Sequence, residues 1–340
     1  MTESDRPSWE LAIDGIDYPD AEAAQRLRRW QQVARTPLGV LDELAVWAAG
    51  VRAQAPLTDL SRVRVLIVAG DHAVAEAGTS TRPSGSTAAE LAQLAAGGGL
   101  TTALAELAGA SVRLVNAAVP GDIAGVDDSE RITDGNGRID RADALTRDQA
   151  AAALAAGVAL ADAEIDAGAD LIVLGDLGTG STTAAAALIA IQTDTEPLAV
   201  AGRSNGIDDA TWSAKVAAIR DARRRGRPHR GDVLDLVRVV GGADLAVLTG
   251  VILQAANRRT PMLLDGVVTA AAALLAQAGN ARVIRWMRAA HLTAEPAHAI
   301  ALERLGLQPI LDLDIAVGGA VGALTAVPVL RAALRCAPQA

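Results

Sequence analysis

Two apolar periodicities divide the chain. Over the first 60 residues apolar positions recur every three or four residues, so residues 20–33 and 38–53 read as amphipathic helices. Trp30 and Trp47 fall on their apolar faces, and Pro37 separates the two segments. From residue 63 the pattern changes to short, continuously apolar runs at 63–69, 111–115, 170–174, 197–201, 261–264 and 309–313. An Ala- and Leu-rich, helix-compatible stretch follows each run. Strands that are apolar throughout are those covered on both faces, and their alternation with helices marks a parallel sheet. The pattern therefore predicts an α/β fold with an open, doubly wound, mostly parallel sheet. Residues 119–145 interrupt it with polar, Gly- and Asp-rich sequence and read as an excursion or flexible loop. The Ala-rich stretches at 150–156 and 270–276 are helix formers rather than a repeat.

At 340 residues the chain has room for two domains, or for one large domain with an appendage. Its 51% apolar content is ordinary, but it comes almost without aromatics: no Phe, one Tyr and five Trp. Stacking platforms for single-stranded nucleic acid are scarce. A net charge of −9 argues in the same direction, against a nucleic-acid partner. The one dense basic run, Arg-Arg-Arg-Gly-Arg-Pro-His-Arg at 223–230, reads as a solvated helix end and loop, with an anion-attracting patch as the alternative. A single cysteine, Cys336, excludes an internal disulfide. The first residues lack the basic-then-apolar profile of a secretion signal, and no uncharged stretch is long enough to span a bilayer. A soluble, cytoplasmic protein without a membrane partner is expected.

Ligands of open parallel sheets bind beyond the carboxyl ends of the strands, and the unusual residues cluster there. The first run ends in Gly70-Asp71-His72. The third continues as Gly175-Asp176-Leu177-Gly178-Thr179-Gly180-Ser181-Thr182-Thr183 directly into a helix pattern. The next is followed by Gly202-Arg203-Ser204-Asn205-Gly206-Ile207-Asp208-Asp209, a later one by Leu264-Asp265-Gly266, and the last leads into Gly318-Gly319. Residues 178–183 have the character of a phosphate cradle. Glycines let the backbone approach, and hydroxyls and N–H groups at a helix start face an anion. A tight helix start capped by Thr is the alternative. The lysine of a Walker loop and the third glycine of a dinucleotide fingerprint are both absent. Several glycine loops at one sheet edge favour phosphate. His291, Glu295 and His298 would share one helical face, suiting either a metal site or a hydrogen-bonded structural group. Pro296 breaks the continuous helix that a metal set would use.

Six short motifs occur in a fixed order: Ala69-Gly-Asp-His-Ala-Val, the 175–186 segment, Gly206-Ile-Asp-Asp, Gly241-Gly-Ala-Asp-Leu-Ala, Pro261-Met-Leu-Leu-Asp-Gly and Ala290-His-Leu-Thr-Ala-Glu-Pro-Ala-His. Leu305-Gly-Leu-Gln-Pro-Ile-Leu-Asp-Leu follows them. From about residue 38 to 330 this series resembles the nicotinate-nucleotide:dimethylbenzimidazole phosphoribosyltransferase family. The resemblance implies a Rossmann-like parallel sheet with a small helical domain built from the chain ends. Residues 1–60 and 319–340 would form the small domain and 61–318 the nucleotide-binding domain, in a homodimer. It also implies a reaction of cobalamin biosynthesis. The phosphoribosyl group of nicotinate mononucleotide passes to 5,6-dimethylbenzimidazole or a related azole base, giving α-ribazole 5′-phosphate and nicotinate. No cofactor and no metal are implied.

The chain departs from the family in one half of the site. The family's last strand leads into Arg-Leu-Gly-Glu-Gly-Thr-Gly-Ala, whose Glu is the general base. Residues 316–323 here read Ala-Val-Gly-Gly-Ala-Val-Gly-Ala, so Gly319 stands at the place of the Glu and Ala316 at that of the Arg. On the acceptor side, Arg82, Ala89 and Glu90 replace an aromatic residue and a Gln-Met pair. The nucleotide-facing loops are retained. Substrate binding therefore falls to Gly178, Gly180, Ser181, Thr182, Gly202, Asn205, Gly206, Asp208, Asp265, Gly266 and Ser80. Two carboxylates are candidates for the missing base. Asp176 matches the family's second active-site acid, and Glu90 lies on the helix after the 78–86 loop, unless it merely faces solvent. A catalytically impaired relative, binding nicotinate mononucleotide as a sensor or partner subunit, is the alternative to an active transferase.

Overall fold

The computed structural model describes residues 6–34, 37–83, 85–203 and 206–338. Its helical beginning comprises α1 (Ser8–Asp14), α2 (Ala21–Ala34) and α3 (Val40–Val51). The last two match the segments predicted from the three-to-four-residue spacing, and Trp47 is buried with its indole N–H on the Arg285 carbonyl, 2.9 Å away. Then come β1 (Val63–Gly70), α4 (Ser86–Ala95), α5 (Gly99–Ala108) and β2 (Ala110–Ala118). After the polar excursion the order is α6 (Arg147–Asp166), β3 (Leu171–Leu177), α7 (Ser181–Thr193), α8 (Pro197–Val200), α9 (Asp209–Gly226), α10 (Val233–Leu236) and α11 (Ala243–Asn257). The chain continues through β4 (Met262–Leu264), α12 (Val267–Gly279), β5 (Met287–Leu292), α13 (Pro296–Leu305), β6 (Pro309–Asp312) and α14 (Val321–Cys336).

The six strands form one sheet in the order β2-β1-β3-β4-β5-β6, and every neighbouring pair is parallel. Residues 65–69 of β1 are buried on both faces, as their unbroken apolar sequence requires. Each such Val, Leu or Ile contributes roughly 1.5–3 kcal/mol by leaving water. The scarcity of aromatics is met by close packing of small residues. Helices α6 and α11 approach so nearly that a Cβ on Gly157 or Gly250 would strike the carbonyl of Val247 or Leu154. A reciprocal Thr146–Gln149 capping box starts α6. At the chain ends α14 packs on α3, while α1 packs on α6 and α11.

Two assignments from the pattern need correction. Residues 197–201 do not form a strand: Pro197 opens the short helix α8, where its fixed φ suits a first helical position. The place in the sheet goes instead to β5, whose sequence Met-Arg-Ala-Ala-His-Leu has no β-branched residue and two polar ones. The 119–145 segment is a packed excursion. It is bridged to the sheet at Val115–Asp127 and to the first loop at His72–Asn136, and Asn136 and Ile139 are buried. The basic run ends α9 with three of its arginines in ion pairs. Arg223 and Arg227 pair with Asp194, and Arg225 with Asp143. No helix among the described residues is long and apolar enough to cross a membrane.

Candidate active site

The sheet order reverses at β1, which has β2 on one side and β3 on the other. Open sheets hold ligands at such a switch point, beyond the strand ends. The loops after β1 and β3 are joined there. Asp71 accepts from the Thr179 N–H (2.8 Å) and the Thr87 hydroxyl (2.5 Å), and the His72 N–H donates to the Thr179 carbonyl (2.9 Å). Gly180 holds the turn at φ +83°, a conformation that favours glycine, and begins α7 without a side-chain cap. The helix start is tight, as the alternative to a phosphate cradle has it, but no Thr side chain caps it. The Ser181 hydroxyl donates to the Gly178 carbonyl (3.1 Å) and toward Asp176 (3.4 Å). Because a Cβ on Gly178 would meet the Gly70 carbonyl, that glycine serves loop-to-strand packing as well as approach by a ligand.

These loops floor one cavity of about 740 Å³. Asp176, Gly178, Gly180, Ser181 and Thr182 line it, as do Gly206, Asp265, Gly266, Ser80 and Glu90. Asp176 is the chemically distinctive group. Burial, reinforced by the carboxylates of Asp265 and Asp244, pushes its pKa up to about 7, while Ser181 and His72 work the other way. Asp265 is buried beside it and accepts from the Ala320 (3.1 Å) and Ala323 (2.8 Å) N–H groups, so it anchors the start of α14. The Gly319 N–H donates to the Asp176 carbonyl (3.0 Å), its own carbonyl accepts from Thr101 (2.7 Å), and its φ is +72°.

Not every predicted residue reaches the cavity. Asp208 is exposed and caps α9, accepting from the Thr211 N–H at 2.8 Å, as its place before a helix requires. Gly202 lies outside the lining and makes room for the Glu295 carboxylate. Asn205 lies outside the described residues. Glu90 is on the wall but engaged by Arg82, with 2.9 Å between charged groups. His291 and His298 are buried behind Thr293, whose N–H and hydroxyl donate to His298 (3.2 and 2.9 Å). Burial takes the His298 pKa down to about 3. Among the described residues no His, Cys, Asp or Glu group is placed to hold a metal; His298 bonds Thr293, and Glu295 pairs with Lys215.

One cavity-lining cation was not singled out from the sequence. Lys215 of α9 lines the cavity at 1% exposure, with its amine 3.3 Å from the Thr182 hydroxyl and 3.7 Å from Glu295. Burial lowers its pKa, against the pull of Glu295. The signal was present: Lys215 is the only lysine among 31 basic residues, set in the otherwise apolar run 214–219.

The phosphoribosyltransferase family model matches residues 16–340. Nicotinate-nucleotide–dimethylbenzimidazole phosphoribosyltransferases of Mycobacterium tuberculosis (strain ATCC 25618 / H37Rv) and Mycobacterium bovis (strain BCG / Pasteur 1173P2) are each 47% identical over 323 residues. That is 94% of this chain and 90% of each relative. Two crystal structures from Thermus thermophilus, one of that enzyme and one of CobT, match with TM-scores of 0.86 and 0.87 at 33% and 35% identity. They cover 93% and 92% of this chain, and 95% of each of theirs is covered. Likeness of this extent, over the same sheet and motif order, has one reading: the chain belongs to the nicotinate-nucleotide–dimethylbenzimidazole phosphoribosyltransferase family.

Proposed function

We propose that the protein transfers the phosphoribosyl group of nicotinate mononucleotide to 5,6-dimethylbenzimidazole or a related azole. The names of the relatives supply the two substrates. The observation that carries the roles is the first turn of α7, with the Lys215 amine beside Thr182 and the Asp176 carboxylate beside Ser181. The 5′-phosphate sits on the α7 N-terminus, held by Gly180, Ser181, Thr182 and the buried cation. The unprotonated azole nitrogen attacks the anomeric carbon with inversion. The bond from that carbon to the pyridinium nitrogen breaks, and its electron pair stays with departing nicotinate. The other azole nitrogen then sheds its proton to Asp176, whose raised pKa suits proton uptake near neutrality.

Gly319 removes the family's base but not every carboxylate at the floor. The impaired-relative alternative has no support from the comparisons, since each relative named above is called a transferase or CobT. Glu90, held by Arg82 at the mouth, contacts the acceptor rather than taking its proton. We read the chain as a cytoplasmic homodimer, with residues 1–60 and 319–340 as a small helical unit; exposed Leu100, Leu107, Leu313 and Val317 supply apolar surface for pairing. Incubation with nicotinate mononucleotide and dimethylbenzimidazole, followed by chromatography, should give nicotinate and α-ribazole 5′-phosphate in equal amounts. Nicotinate alone would mean hydrolysis, and neither product would overturn the reading.

A further inference from the structure

Beneath the joined loops lie three polar side chains that the transfer itself does not touch. His72, Asn136 and Asp244 are each at most 2% exposed. The His72 ring Nε2 is 3.0 Å from Asp244, the Asn136 amide donates to the other Asp244 oxygen at 3.1 Å, and the Asn136 side-chain oxygen accepts from the Ala243 N–H at 2.7 Å. They come from three separate stretches: the β1 loop, the 119–145 excursion and the start of α11. Enclosing such groups is costly unless their arrangement is needed.

Their backbones reach the phosphate loop. The Asn136 N–H donates to the Asp71 carbonyl (2.8 Å), the Ala73 N–H to the Asn136 carbonyl (2.9 Å), and the His72 N–H to Thr179 (2.9 Å). A Cβ on Gly180 would stand 3.0 Å from the His72 carbonyl oxygen, so the two loops are in contact. The charges around the ring are one-sided. Asp244 faces it from α11, Asp71 from its own loop and Asp176 from β3; Asp265 adds a further carboxylate next to Asp176. The Lys215–Glu295 pair lies at Thr182, and His291 adjoins Asp265 at 3.3 Å.

We propose that His72, held by Asp244, which Asn136 in turn orients, is a positioning residue for the transfer: it registers the β1 loop against the 178–181 turn and stands as a buried counter-cation to Asp176. The three carboxylates around His72 outweigh its burial and hold its pKa above the usual imidazole value. Its charge in turn favours ionised Asp176. This proposal rests on Asp176 being the base. Without His72 that base must lose its proton at higher pH, so activity fails at neutrality and returns under alkaline conditions.

The test compares kcat against pH for the wild type, His72→Gln and Asp176→Asn, with nicotinate mononucleotide and dimethylbenzimidazole. The acid limb of His72→Gln should move up by about one pH unit, with kcat near pH 9 within about threefold of wild type. A uniform loss at all pH values, or an unmoved limb, would overturn the positioning role. Should that variant not fold, ¹⁵N-histidine spectra of the wild-type protein remain decisive. A charged His72 ring at pH 7 supports the proposal, and a neutral one sinks it. Full turnover in Asp176→Asn would refute the base assignment instead, and the charge of His72 is read separately from the wild-type spectrum.

Discussion

The cavity has two sides, and they are built by different rules. On the side proposed for the nucleotide each loop is tied to another: Asp71 and His72 to Thr179, Ser181 to Gly178, Lys215 to Thr182. On the side proposed for the acceptor, Ser80, Arg82 and Glu90 are half-exposed, Leu100 and Val317 protrude, and an ion pair at the mouth does the joining. An anion rewards donors fixed in advance, because none must reorganise when charge arrives. A flat base asks mainly for shape, so its wall tolerates replacement. Of the departures from the family motifs, those at 82, 90, 316 and 319 line the cavity.

Asp176→Asn is the most severe way to break the contrast. Turnover should fall by about 10²–10⁴, while nucleotide affinity, read by calorimetry, stays within about threefold. The same variant carries a pH signature. Folding raises the Asp176 pKa, so its contribution to stability is fully present below the unfolded value and is lost as pH rises through about 7. The Tm gain of the Asn variant should grow from pH 4 to pH 8; a constant difference would contradict the burial argument. Next comes Lys215→Met, which removes a charge-assisted contact of about 1.5–3 kcal/mol. Nucleotide Kd should rise about 10- to 100-fold with acceptor KM little changed. Loss of affinity for both substrates would mean a collapsed wall rather than a lost phosphate ligand.

Smaller effects sharpen the acceptor side. A half-exposed ion pair contributes at most about 1 kcal/mol, so Glu90→Gln should change acceptor KM no more than about fivefold and spare the nucleotide. A hundredfold drop in kcat would instead make Glu90 the base. Gly319→Ala should destabilise the fold by about 1–2 kcal/mol in denaturant titrations, since its φ is left-handed. For that reason Gly319→Glu does not simply restore the family's base: the new side chain would meet the same strain, with Thr101 3.0 Å from its Cβ.

Much of this architecture was legible in the chain. Five of the six strands showed as continuous apolar runs, and the Gly-Ser-Thr loop after β3 announced the start of α7. What escaped had physical reasons. β5 lacks β-branched residues and is a strand only because β4 and β6 flank it. Pro197 lies in an apolar run that looks like a strand until its helical φ is taken into account. Asp208 and Asp265 are both acidic residues at helix starts, yet one caps in solvent and the other in the cavity, a distinction made by tertiary burial. The His72–Asn136–Asp244 group joins positions 64 to 172 residues apart, which no local pattern encodes.

Having a single lysine gives the protein an unusual vulnerability to proteolysis. A protease that cuts only after lysine has one target bond, Lys215–Val216, in the middle of α9. That bond is shielded while the cavity wall is intact, so scission requires α9 to open. Where opening is fast relative to cutting, the rate follows the population of the open form. Two fragments, 1–215 and 216–340, then serve as a clock for one wall of the site, and any ligand that closes over the buried amine slows it.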